Sequence, residues 1–141
     1  MVIYMIRLVG RRLIIPQGDT GTFTIPTQGT IAAGDKAILS IYDLLMHNTI
    51  KQLELQITAE NLSECTDALT FEFQSQDTLI SDASEAIEPD DRGHRYAWDV
   101  TIIRNPLYDE NNELIHADSI DSYYAAFSLP SCVIKRVTRN V

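Results

Sequence analysis

The chain has 141 residues, one domain's worth, and 45% of them are apolar against 22% charged, which excludes an intrinsically disordered polymer. Twenty Asp and Glu against eleven Lys and Arg leave a formal charge of −9, which argues against a nucleic-acid binder held by diffuse positive charge. A domain of this length holds a core without metal or disulfide staples, so residues 1–141 are expected to form a single domain.

The N-terminus is apolar from Met1 to Ile6, and its basic residues Arg7, Arg11 and Arg12 follow that run, the reverse of a signal peptide. No uninterrupted apolar stretch approaches the ~20 residues of a membrane helix, so a soluble protein without membrane insertion is expected. Gly18-Asp19 and Gly21 read as a turn, and in Thr22-Phe23-Thr24-Ile25 the threonines face one side and the apolar residues the other. Pro26 to Gly29 and Gly34-Asp35 are further turns. Lys36 to Asn48 is ambiguous, because Ile38, Ile41, Leu44 and Leu45 fit a helix while Ala37, Leu39 and Ile41 fit a strand.

Leu53, Leu55 and Ile57 alternate with polar residues, as do Leu69, Phe71 and Phe73, and both segments read as strands with one wet face. Ser81 to Glu88 has the capping serine and following proline of one helical turn, and Pro89 to Gly93 is a turn. Tyr96, Trp98, Val100 and Ile102 mark the next strand, Asp109 to Asn112 a turn, and Val133 and Val137 flank Lys135 in a last strand. Between them Ile120, Tyr123, Tyr124 and Phe127 fall at i, i+3, i+4 and i+7, which predicts a short helix near residues 119–127 ending before Pro130. Seven or more strands at this spacing favour a β-sandwich or barrel.

Motifs that carry chemistry are sparse. His47, His94 and His116 have no metal-ligand spacing, and Gly18 and Gly21 lack the Lys-Ser/Thr of a phosphate loop. Asp109 to Glu113 starts like a calcium loop but has Leu114 and Ile120 where Gly and Glu are required, so a hairpin tip is the reading. Cys65 and Cys132 are read as small apolar residues on strands; pairing them would need an oxidising compartment. Glu64 and Asp67 would raise the Cys65 pKa if they approach it. No metal, no cofactor and no catalytic residue is expected. Tyr96, Tyr108, Tyr123, Tyr124 and Trp98 fit either a core or a platform for stacking sugars, and paired carboxylates of a hydrolase are a third, weaker reading.

Charge is laid out in blocks. Eleven acidic residues and no basic one lie between Gln52 and Asp91, whereas the first fifteen residues carry three Arg and the chain after Asp121 carries Lys135, Arg136 and Arg139, with no acid in either. If the terminal strands are neighbours, Arg7, Arg11, Arg12, Lys135, Arg136 and Arg139 form a cationic patch opposite an anionic face, suited to head-to-tail association.

Several phrases carry a resemblance: Gly18 to Pro26, Gly34-Asp35 opening a strand that ends Ile41-Tyr42-Asp43, Asp77-Thr78, Tyr96 to Val100, Asn105-Pro106, Asp121 to Phe127 and Leu129 to Cys132. In this order they resemble small structural proteins of tailed phages and prophages in gut Firmicutes. They are more remotely similar to the N-terminal β-sandwich domain of phage baseplate upper proteins. The resemblance favours a strand over Lys36 to Asp43, and sets the acidic stretch Ser81 to His94 apart as longer than a plain hairpin connection. It implies an antiparallel, Ig-like β-sandwich of seven to nine strands acting as a non-catalytic adaptor at a tail tip or baseplate. The partners would be other virion proteins and further copies of itself, with no nucleic acid, in the virion or in the bacterial cytoplasm during assembly. The alternative is a module that binds host-surface carbohydrate.

Overall fold

The computed structural model describes residues 6–44, 47–78, 96–124 and 129–135. Eleven strands and two short helices follow one another: β1 (Arg7–Val9), β2 (Arg12–Pro16), β3 (Gly21–Pro26), β4 (Lys36–Asp43), β5 (Asn48–Gln56), α1 (Leu62–Asp67), β6 (Ala68–Phe73), α2 (Ser75–Thr78), β7 (Tyr96–Arg104), β8 (Leu107–Tyr108), β9 (Leu114–His116), β10 (Ser119–Ser122) and β11 (Ser131–Lys135). The protein is mostly β. Eight of the strands have four residues or more; the rest are β1, β8 and β9.

The larger sheet runs β1-β2-β11-β7-β4-β5, with β10 also paired to β7. Its pairings are antiparallel except for β2 and β11, which lie parallel with Leu13 opposite Cys132 and Ile15 opposite Ile134. A purely antiparallel sheet is therefore not what forms. Parallel neighbours need a long crossover, and here nearly the whole chain separates them. That pairing makes the two ends of the described chain neighbours.

The second layer is the ribbon β3-β6, in which Phe23 faces Phe71 and Ile25 faces Leu69. Phe23, Ile25, Leu69, Phe71 and Phe73 point inward, while Thr22, Thr24, Thr70 and Glu72 stay exposed. Against them pack Leu13 and Ile15 of β2, Ala37, Leu39 and Ile41 of β4, Trp98, Val100 and Ile102 of β7 and Ile134 of β11. Each large side chain so buried contributes about 1.5–3 kcal/mol. The Phe23 ring meets the Trp98 indole edge-on at 5.1 Å between centroids.

Lys36–Asp43 is a strand, and the helical spacing of Lys36 to Asn48 produces no helix among the described residues. Flanked by β5 on one side and β7 on the other, β4 has its backbone groups satisfied along both edges. The one wet face expected of Tyr96 to Ile102 is absent. As the central strand, β7 also buries Ala97, Asp99 and Ile103 on its other face.

The short helix expected near 119–127 is corrected to a strand over Ser119–Ser122, because β7 offers a free edge whose Thr101 to Arg104 pair with it. Ile120 is exposed and Tyr123 buried, so the helical spacing does not define an apolar face; residues 125–128 lie outside the described chain. β10 and β11 occupy the same side of β7 and run in the same direction. Ser122 pairs with Thr101 and Ser131 with Ala97, nine positions on one side against four on the other, so the strand is interrupted by five extra residues. Asp99 sits at this interruption. Its buried carboxylate accepts hydrogen bonds from the backbone N–H groups of Val100 and Tyr124 and from the Ser122 hydroxyl.

Cys132 is on β11, but Cys65 is on α1 instead of a strand; both are free thiols. The helical turn read at Ser81 to Glu88 and the acidic stretch around it lie outside the described residues.

Candidate functional site

The basic residues of the N-terminal segment are presented by a tight hairpin. Val9 pairs with Arg12, leaving Gly10 and Arg11 as a two-residue loop. Gly10 takes a φ of +64°, which glycine supplies at no steric cost at the first position of such a turn. Because β2 then pairs with β11, Arg12 lies beside Ser131 and donates from Nε to its hydroxyl at 3.3 Å. Lys135 is placed opposite Pro16 on the same strand pair. Arg7 stands opposite Ile14 on the outermost strand. The structure thus brings Arg7, Arg11 and Arg12 to the β1-β2 margin of the large sheet and places Lys135 on the neighbouring β11, at the other end of β2 from Arg12; Arg136 and Arg139 lie outside the described residues.

Arg11 is fixed from two directions. Its carbonyl accepts the Trp98 indole N–H at 2.9 Å, and its guanidinium lies 5.0 Å from the centroid of Tyr124. Between this turn and the start of β11 is an open groove of about 480 Å³, lined by Val9, Arg11, Arg12, Ile14, Pro130 and Ser131. Its lining is apolar at Val9, Ile14 and Pro130 and cationic at Arg11 and Arg12. The charge pattern of the sequence pointed to the arginines, but the apolar lining was not legible there, because it is assembled by the β2–β11 pairing. A second recess of about 380 Å³ lies at the β4–β5 end, where Tyr42, Asp43, His47 and Thr49 surround Leu44.

The described acids of the Gln52 to Asp91 stretch lie on elements other than β1, β2 and β11. Glu54 is on β5, the other edge strand of the large sheet, and pairs with Lys36 at 3.3 Å. Glu64 and Asp67 on α1 and Glu72 on β6 are exposed on the second layer. Asp77 on α2 is held by Lys51 at 2.7 Å, whose ammonium keeps its carboxyl below the usual range. The basic margin and the acidic layer are separate surfaces.

Other sequence candidates resolve into structural roles. Asp35, from the Gly34-Asp35 phrase, accepts the backbone N–H groups of Ala32 and Asn105, each at 2.9 Å, and ties two turns together with Arg104 3.8 Å away. Asp109 caps the hairpin tip by accepting from Asn111 and Glu113 N–H groups at 2.8 and 2.9 Å, so that segment is a turn, as expected. Tyr96, Trp98 and Tyr123 are buried, and the Tyr123 hydroxyl accepts the Gln28 N–H at 3.1 Å. These three rings do not form the exposed platform that sugar stacking needs. His47 and His116 stand apart; His116 approaches Asp118 at 3.6 Å, while His94 lies outside the described residues. Among the described residues no three His, Cys, Asp or Glu side chains are grouped to hold a metal ion, and no helix is long and apolar enough to cross a membrane.

In comparisons with protein-family models, curated proteins and solved structures, the chain has no match.

Proposed function

We propose that this protein is a non-catalytic structural or adaptor module of a phage or prophage virion, at the tail tip or baseplate, with the Ig-like sandwich its sequence phrases imply. It acts by binding other virion proteins and copies of itself, in the particle or in the bacterial cytoplasm during assembly. The observation that supports this reading best is the adjacency of β1, β2 and β11, which sets the strand carrying Lys135 beside the arginine-bearing hairpin and its groove. A surface of that composition favours an acidic protein partner, since opposite potentials steer association and set its register. Arg7, Arg11, Arg12, Lys135, Arg136 and Arg139 are its contact residues, and the reading calls for no cofactor and no nucleic acid.

The experiment is mass spectrometry of particles purified from the encoding bacterium or its phage. Peptides of this chain should copurify with the particles at a fixed ratio to tail proteins. Their absence from intact particles would overturn the assignment.

A further inference from the structure

Exposed apolar side chains collect at two places, at opposite ends of β7. One is the β8-β9 arm, which follows the last residue of that strand, Arg104. Among the described residues its two strands pair with each other and join no other sheet. Leu107 is 57% and Ile115 64% exposed, with Leu114 beside them. A two-stranded ribbon is marginal in water without an apolar face to cover. Here the root is steadied by Lys36, whose ammonium lies 4.5 Å from the centroid of Tyr108, and the tip by Asp109. That tip carries Asp109, Glu110 and Glu113 and no basic residue. The other place is the groove beside the Gly10-Arg11 turn, at the end of β7 where Ala97 pairs with Ser131. Val9, 56% exposed, lines it together with Arg11, Arg12 and the buried Ile14 and Pro130.

We propose that the β8-β9 arm of one copy of the protein seats in the β1-β2-β11 groove of the next, with Ile115 against Val9 and the acidic tip against Arg11 and Arg12. The proposal rests on the reading of this protein as an association module and names the two surfaces involved. Charge complementarity selects this pairing. Arm against arm brings carboxylates together and groove against groove brings guanidinium groups together, whereas arm in groove opposes unlike charges over apolar cores. The contact joins different patches at opposite ends of a nine-residue strand, so it is heterologous and propagates as a ring or a filament.

The test uses sedimentation velocity of the full chain. Wild type at high protein concentration should sediment as species of three or more copies. An arm variant, Glu110→Lys with Glu113→Lys, and a groove variant, Arg11→Glu with Arg12→Glu, should each fall to the 15.9 kDa monomer. Mixed together they should reassemble, because the acidic arm of the groove variant meets the intact groove of the arm variant, and the reversed pair also match. Recovery on mixing shows that both variants are folded. If the groove variant does not fold, Ile115→Ser, at an exposed side chain, should lower the assembled mass on its own. Variants that assemble like wild type, or monomeric variants that stay monomeric when mixed, would overturn the arm-in-groove contact while leaving self-association in place. A wild type that is monomeric throughout overturns it as well, and the virion assignment is then decided separately by the particle composition.

Discussion

The Trp98 indole N–H donates to the Arg11 carbonyl at 2.9 Å, across 87 positions of sequence. The largest side chain of the core thereby fixes the turn that carries the basic margin. Trp98 is fully buried, with Phe23 and Tyr124 edge-on to it at 5.1 Å each. Replacing Trp98 with Phe leaves the Arg11 carbonyl without this donor and opens space beside both rings. A loss of about 1–3 kcal/mol is expected, and Trp98→Ala should lose about 3–5 kcal/mol. Urea unfolding measures it as a lower midpoint at constant slope. Trp98→Phe should also weaken any salt-sensitive association through the margin, since the Arg11 turn loses its anchor. Unchanged stability and unchanged association would show that the hydrogen bond holds nothing in place.

Asp35 makes a comparable tie between the turn at Ala32 and the one at Asn105. Both of its oxygens accept backbone N–H groups, and charge-assisted bonds of this kind are worth about 1.5–3 kcal/mol each. In Asp35→Asn the amide nitrogen replaces one acceptor and faces an N–H donor, so at least one bond is lost. We expect Asp35→Asn to lower stability by about 2 kcal/mol and Asp35→Ala by more. Gly34, at a φ of +101° and with its N–H donated to the Ile57 carbonyl, should tolerate no side chain, with Gly34→Ala destabilised by about 1 kcal/mol or more. Chemical denaturation of the three variants checks the order, and a neutral Asp35→Asn would contradict the role given to the carboxylate.

The strands were legible where one face is buried and the other wet. Phe23 and Ile25, or Leu69, Phe71 and Phe73, alternate because the second layer has solvent on its outer side. The central strands defeat that rule: Ser40 and Asp99 are polar yet buried, although each lies on the face of its strand that alternation marks as wet. Ser119 to Phe127 misleads for a different reason. Its apolar spacing is helical, but Ser119–Ser122 gains its hydrogen bonds from the open edge of β7, a partner that local pattern does not reveal. For the candidate site, the arginines stand out as charge in a linear sequence. The juxtaposition of Arg12 with Ser131 depends on a parallel pairing between distant segments, which no periodicity encodes.

Among the described residues, Asp77 and Asp121 contribute to the acid limb of stability. Lys51 lowers the pKa of Asp77 by hydrogen bonding and charge, and Arg104 does the same for Asp121. A carboxyl whose folded pKa lies below its ordinary value of 3.8 stabilises the fold fully above that value. The contribution is lost as pH falls through the depressed folded pKa. Stability should therefore be flat above about pH 5 and fall below about pH 4 as far as these two groups are concerned. In Lys51→Met the Asp77 part of that fall should vanish, giving a shallower slope of unfolding midpoint against pH in the acid range. An equally steep slope in wild type and variant would remove Asp77 from the account.

Cys65 and Cys132 supply the last prediction, because both are buried and free. Burial pushes the Cys132 thiol far up from its ordinary value, and burial followed by the nearby Glu64 carboxylate raises that of Cys65. Thiolate is the reactive species, so each group is disfavoured twice, by access and by charge. Cys132 faces the core beside Leu13 in the parallel pair, and reaching it requires the β2–β11 contact to open. Cys65 sits in the six-residue helix α1, which leads into β6 and is tied to Thr27, whose hydroxyl and backbone N–H donate to the Cys65 and Asp67 carbonyls. Labelling with a thiol reagent at pH 8 should thus be slower in the native protein than in urea by at least about two orders of magnitude, with Cys65 reacting before Cys132. Fast labelling of Cys132 would mean that the pairing of β2 with β11, and with it the basic margin, opens readily in the native state.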